Sequence, residues 1–279
     1  MEKGREEILR GGRLIMKTIF RLIELFFWNS KLRIARSMEY RFNFIAGTII
    51  SLFFSFIGPV VQYLIFTQTK GYPGWTIKQL ILFQGMMLFW MGLRDTAFGD
   101  LKQNITEMVQ KGDFDRLLLK PYPPIGVILT SGFNFRNFGT LVTGIIITIL
   151  AAGALKLTLG WGVISLIILT VIFGLLFNMT LDILFCSVIV LIIHTIRLGE
   201  FFENLLNFAR YPVEIFSKAV RFAFLTFVPF AIWIYYPTQV LLQRIDLKIM
   251  IAFATSLIMF GLSLIIWKHC LKKYTSAGG

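Results

Sequence analysis

WGVISLIILTVIFGLLFNMTLDILFCSVIVLII occupies residues 161–193. Only Asn178, Thr180 and Asp182 break its apolar character to any depth. About 20 residues of helix cross a hydrocarbon core of roughly 30 Å, so this run exceeds one upright crossing. It reads either as one long tilted helix that projects from the bilayer or as two short spans, and the single helix is preferred. Apolar runs of spanning length lie on both sides of it, at Phe42–Phe66, Ile77–Gly99, Asn137–Ala152 and Ile249–Trp267. The predicted fold is all-α, a polytopic membrane protein.

Composition agrees. Hydrophobic residues make up 56% of the 279 and charged residues 15%, against roughly 45–50% and about 25% in soluble domains. Mean hydropathy is +0.74, and Phe alone occurs 29 times. A soluble domain of this size could not hide that much apolar surface. The formal net charge of +13 would suggest nucleic acid in a soluble protein. Here the basic residues flank apolar runs, so anionic lipid headgroups are the expected partner and nucleic acid is not. Cys186 and Cys270 are far apart, with no CxxC pair, and His194 and His269 stand 75 positions apart. Neither a disulfide framework nor a metal site is expected.

Ten Lys or Arg fall in residues 1–41, ahead of the first apolar span. A cleavable signal peptide would place its apolar core sooner, so that span is expected to stay as an anchor. Within this region IMKTIFRLIELFF, Ile15–Phe27, repeats apolar residues at helical spacing. It predicts an amphipathic helix in the membrane interface, with a soluble helix docked on a partner as the other reading.

Residues 101–136 are the longest polar interval between spans. A short helix is predicted over Glu107–Leu119, interrupted near Gly112, and Pro121, Pro123 and Pro124 should stop it. Phe201–Phe216 is amphipathic, with Glu203, Asn204, Asn207 and Arg210, and suits a helix buried in a bundle. Glu200, Glu203, Asn207 and Arg210 recur at spacings of three and four, so they share one stripe. That stripe is the candidate translocation or dimer surface. Residues 217–246 read either as a seventh span, Ala219–Tyr235, or as a re-entrant or interfacial pair of helices. With six spans and both termini inside, 19 basic residues lie inside and 8 outside. The positive-inside rule supports this arrangement and argues against a seventh span.

Glu107, Gly112, Asp113, Asp115 and the RLLLKPYPP stretch of Arg116–Pro124 stand between spans two and three. ARYP (Ala209–Pro212) and YYP (Tyr235–Pro237) stand between spans five and six. In this order they resemble the permease subunits of type 2 ABC exporters, specifically ABC-2 family transporter proteins related to daunorubicin-type permeases. The resemblance covers about residues 15–270. Phe114 departs from the motif, which more often carries a smaller or charged residue there. The resemblance implies six membrane helices over 42–270, an interfacial N-terminal helix within 1–41 and a cytoplasmic tail at 271–279. It also implies a coupling element within 101–136 that inserts into an ATPase subunit, and short helices at 216–246 that cap the outer side. The coupling residues would be Glu107, Gly112, Asp113, Asp115, Arg116, Leu117, Leu118 and Lys120. The outer unit would include Tyr211, Pro212, Tyr235, Tyr236 and Pro237. Two permeases, identical or related, and two ATPases would make the working exporter in a prokaryotic inner membrane.

No GxxxxGK[ST] phosphate loop is present, so ATP and Mg are expected on the partner and no catalysis or cofactor in this chain. The abundant Phe offers a sequence-tolerant apolar surface. The expected cargo is an amphipathic or hydrophobic compound, such as a drug, a lipid-like molecule or a peptide. The alternatives are a permease for a polar polymer such as a glycan, and a non-transporting scaffold.

Overall fold

The computed structural model describes residues 2–39, 41–69, 71–192 and 196–275. His194 and Lys70 lie outside the described residues, as does the end of the expected tail, 276–279. The described residues form helices joined by short loops and turns, with no strand among them. Among the described residues four helices are long and apolar enough to cross a membrane, within Ile45–Gln68, Phe135–Ala154, Trp161–Leu191 and Lys248–Lys272.

The chain begins with α1 (Glu2–Glu39), followed by α2 (Arg41–Gln68). Met16, Phe20, Ile23 and Phe27 of α1 form an exposed apolar stripe at helical spacing. A second face packs inward: Phe26 meets Phe133 edge-on, and Asn29 Nδ2 donates to the Thr130 carbonyl at 3.3 Å. The amphipathic region is thus one helix with two working faces.

At the far end of α2 the chain turns into α3 (Ile77–Phe98). Thr76 caps it by accepting from the Gln79 N–H, and Gln79 returns the bond to Thr76. The middle of α3, Leu82 to Leu88, is buried at every position and so on every side, which suits its place at the centre of the bundle. It lies unusually close to α7 (Phe138–Ala154) because glycines remove the side chains between them. A Cβ on Gly92 would fall 2.2 Å from Leu141 N, and one on Gly144 2.0 Å from Phe89 N. Apolar lipid cannot drive two apolar helices together by hydrophobicity, so close backbone packing takes over.

Between α3 and α7 stand α4 (Leu101–Gln110), α5 (Asp113–Leu118) and α6 (Pro124–Thr130). The helix predicted from Glu107 starts earlier, at Leu101. It breaks where expected, because Gly112 adopts φ 75°, a left-handed value that favours glycine. The helix ends at Leu118, ahead of the prolines as expected, but they also open the next one. Pro123 holds extended backbone and Pro124 occupies the first position of α6, where its missing N–H costs nothing.

The long apolar run beginning at Trp161 forms one helix, α8 (Trp161–Leu191). Phe173 of α8 stacks on Phe253 of α12 (Lys248–Lys272), with centroids 4.4 Å apart. Segment five is shorter than expected. α9 (Ile196–Asn207) gives way to 3-10 turns at Phe208–Arg210 and Val213–Ile215. The segment still runs from one end of the bundle, where Glu203 meets Lys102, to the other, where Glu214 meets Trp75.

Residues 217–246 form no seventh span. α10 (Lys218–Thr226) has nine residues, about 14 Å. A 3-10 turn at Phe230–Ile232 and α11 (Tyr235–Leu241) follow. The unit dips into the bundle and returns. Trp233 stacks on Trp90, in the middle of α3, and its Nε1 donates to the Gly174 carbonyl, in the middle of α8, at 3.0 Å. Gln243 then reaches the Thr158 carbonyl between α7 and α8 at 2.9 Å. Irregular backbone at this depth is tolerated because protein surrounds it; Ile232 and Trp233 are almost wholly buried.

Candidate functional site

Four helices each bring a polar side chain to one level of an otherwise apolar bundle. Arg94 comes from the last turns of α3, Lys102 from the first turn of α4, Asp182 from α8 and Glu203 from α9. Glu203 Oε1 accepts from Lys102 Nζ at 2.6 Å, and Oε2 accepts from Arg94 Nη2 at 3.3 Å. Arg94 Nε also donates to Asp95 Oδ1 at 2.6 Å. Beside this group Asn178 Nδ2 donates to Asp182 Oδ2 at 2.7 Å, both side chains being buried. The Lys102 ammonium further sits 5.9 Å from the ring centroids of Phe185 and Phe202. A cavity of about 30 Å³ remains among Arg94, Lys102, Asp182 and Glu203, room for about one water molecule. Each charge alone would be costly at this depth, and clustering them supplies every one with partners. The effect is mechanical, since one carboxylate ties the first turn of α4 to both α3 and α9.

The loop helices extend from this junction. Leu101, Ile105 and Val109 bury the inner face of α4, at helical spacing. Phe114 is fully buried against Trp267 and Tyr274, with ring centroids 6.4 and 4.9 Å away. The aromatic residue that departs from the family motif thus pins α5 to the end of α12. Of the two leucines expected at the coupling surface, Leu117 is buried and Leu118 is at the margin, while the neighbouring Leu119 is 86% exposed. The outer face is polar. Glu107 accepts from Lys111 Nζ and Gln103 Nε2, both at 2.9 Å. The Lys111 hydrogen bond and then that of Gln103 hold its carboxyl below the usual range, and the same bond to Glu107 raises Lys111. Asp113 and Arg116 lie 3.5 Å apart in an exposed pair, and Lys120 is exposed.

The stripe read from segment five is divided among different partners. Glu203 enters the charged junction, whereas Glu200 is exposed. Asn207 Nδ2 donates to Asn204 Oδ1 at 3.3 Å. The Arg210 carbonyl accepts from Gln62 Nε2 at 3.0 Å. At the opposite end Glu214 accepts from Trp75 Nε1 at 3.0 Å and from the Tyr235 hydroxyl at 2.7 Å. Tyr236 is buried and donates to the Leu225 carbonyl at 3.0 Å, beside buried Pro237. Pro212 is buried and Tyr211 exposed. Sequence reasoning assigned no role to Arg94, Lys102, Asn178, Asp182 or Glu214. For Asn178 and Asp182 the available signal was their isolation within apolar sequence, where a polar residue needs a partner, whereas Lys102 lies in the polar interval and carried no such signal. Among the described residues no group of three or more His, Cys, Asp or Glu side chains is arranged to hold a metal ion.

A family model described as ABC-2 family transporter protein matches residues 45–278. The chain belongs to the ABC-2 transporter family. The matched stretch contains the charged junction, the loop helices and the re-entrant unit, and it leaves out α1. No curated protein matches the chain. Membership makes this ABC-2 transporter protein a multi-pass membrane component of an ABC transporter, which works with an ATPase partner.

Proposed function

We propose that the protein is the permease subunit of an ATP-driven exporter. Six crossings would be made by α2, α3, α7, α8, the segment 196–216 and α12, with both termini in the cytoplasm of a prokaryotic cell. ATP and Mg belong to the partner, and this chain provides the path and performs no hydrolysis. α4 and α5 are the surface offered to the ATPase. Two permeases, identical or related, act with two ATPases, because one chain offers a single such element. The cargo is an amphipathic or hydrophobic compound moved outward, a reading supported by the Phe-rich apolar surface along α2.

The observation that carries the proposal is the Glu203 junction. A displacement of α4 by the ATPase is passed through Lys102 to Glu203, and so to α9 and to Arg94 of α3. The exposed polar face of α4 and α5 provides the contact, and the buried face provides the rigidity.

The test is reconstitution with the cognate ATPase in vesicles. Replacing Asp115 and Arg116 together should weaken ATPase binding and uncouple hydrolysis from transport. Glu203→Leu should leave the complex assembled and change substrate-stimulated hydrolysis. Single cysteines at Lys156 and Lys111 should label from outside and only after permeabilisation, respectively. Unchanged ATPase binding and transport in the loop variant, or outside labelling at Lys111, would refute the reading.

A further inference from the structure

An open cavity of about 1120 Å³ lies between α1, α2, the start of α4 and residues 133–136. This is as large as the pockets that hold sizeable organic ligands. Its charge is one-sided. Arg33, Arg36 and Arg136 line it, against a single carboxylate, Asp100. That carboxylate is already used on both oxygens. Oδ2 pairs with Arg33, and Oδ1 accepts from Asn134 Nδ2 at 2.6 Å. Among the described residues neither Arg36 nor Arg136 forms an ion pair with an acidic side chain. Both are exposed, and the Arg136 side chain lies along α2, with its Cγ, Cδ and Nε each 3.8 Å from where a Cβ on Gly47 would stand.

The walls have two characters. One is α1, with arginines facing the cavity and an exposed apolar stripe elsewhere on its surface. The other is α2, where Ile50 lines the cavity and is 54% exposed, and Phe54, one turn on, is 67% exposed. A ligand held here would meet two free guanidinium groups at one end and a bare apolar helix at the other.

We propose that this cavity binds the phosphate headgroup of an anionic membrane phospholipid, with Arg36 and Arg136 on the phosphate and an acyl chain along Ile50 and Phe54. Guanidinium groups pair with phosphate through short charge-assisted hydrogen bonds. Basic pockets beside spanning helices are where anionic headgroups settle. The α2 wall favours a lipid over a free anion, because inorganic phosphate gains nothing from an exposed isoleucine and phenylalanine. A bound lipid would also join α1, which lies outside the matched family region, to α2 and, through Arg33 and Asp100, to the start of α4. The inference rests on reading α2 as a membrane crossing but not on transport or on the ATPase, so it can fail while the exporter reading stands.

The test uses the full-length chain extracted from vesicles of phosphatidylglycerol and phosphatidylcholine, with retained lipid counted by native mass spectrometry. The wild type should keep phosphatidylglycerol selectively, one molecule per chain. Each arginine is worth roughly fivefold in affinity near an anionic surface, so R36Q together with R136Q should lower retention about 25-fold. Gly47→Phe obstructs the cavity beside Arg136 without removing a charge and should lower it too, which guards against a misfolded double variant. Arg244→Gln, remote from the cavity, should retain lipid as the wild type does. Retention at the wild-type level by both the double variant and Gly47→Phe would overturn the proposal. So would displacement of the lipid by millimolar inorganic phosphate, which would mark a free-anion site, or an equal loss in Arg244→Gln, which would mark nonspecific attraction.

Discussion

Lys102 and Glu203, 101 positions apart in the chain, meet at 2.6 Å and close the contact between the first loop helix and segment five. The Glu203 side chain is half exposed, whereas those of Lys102 and Arg94 are largely covered. The pair is therefore partly screened, and its worth lies between that of a surface bridge and a buried one.

Reversing one member should be harmful and reversing both should restore function. Glu203→Lys would crowd three cations with Asp95 and Asp182 as the remaining acids nearby. Adding Lys102→Glu recreates the attraction with its direction exchanged. The expected coupling in a double-mutant cycle of thermal stability is about 1 kcal/mol, with transport recovering in the double variant. Additive effects on both readouts would remove the junction from the mechanism.

The α3–α7 contact should be intolerant of a single methyl group. At Gly144 the new Cβ would strike the backbone at Phe89, so the helices must part rather than a side chain turn aside. Gly144→Ala is expected to destabilise the protein by about 1–3 kcal/mol. Gly153→Ala, in the same helix with nothing within 4 Å, should show no loss. Thermal unfolding in detergent compares the two, and equal midpoints would contradict the packing described.

Phe114 and Leu119 lie five residues apart and should separate stability from partner binding. Phe114→Ala empties the contact with Trp267 and Tyr274, at a cost of about 3–5 kcal/mol. Hydrogen exchange across residues 101–120 should rise as a result. Leu119→Ala removes a side chain that is 86% exposed, so exchange should stay unchanged while ATPase affinity falls. Loss of ATPase binding in neither variant would move the contact surface elsewhere.

Glu214 should behave as an acceptor rather than as a charge. Glu214→Ala leaves the Trp75 N–H and the Tyr235 hydroxyl without their carboxylate, at about 1–3 kcal/mol for the buried Trp75 N–H and less for the half-buried hydroxyl. Glu214→Gln keeps an oxygen and should cost much less. The thermal midpoint and a red shift of tryptophan emission report both, and identical behaviour of Ala and Gln would refute the assignment.

Much of the architecture was legible before any coordinates. Hydropathy located α2, α7, α8 and α12, and for the run 161–193 it favoured one long helix over two short spans, as the single helix Trp161–Leu191 bears out. The break at Gly112 was also legible, since a glycine between two helical patterns marks a left-handed residue. Segment five was read less well. Its stripe of Glu200, Glu203, Asn207 and Arg210 has the correct helical spacing as far as Asn207, where α9 ends. Spacing within one helix is a local property, and it carries no information about which neighbouring helix supplies a partner.

The amino-acid sequence by itself determined that this is an all-helical membrane protein with a polar helical unit between its second and third apolar runs. Those features follow from the cost of exposing apolar surface and from backbone preferences over a few residues. Tertiary structure alone decided that Glu203 joins Lys102 and Arg94, that Trp233 dips to Trp90, and that Arg36 and Arg136 share a cavity. Each of these depends on helices far apart in the chain meeting at one depth, and hydrogen bonds and ion pairs act over a few ångströms that sequence distance does not measure.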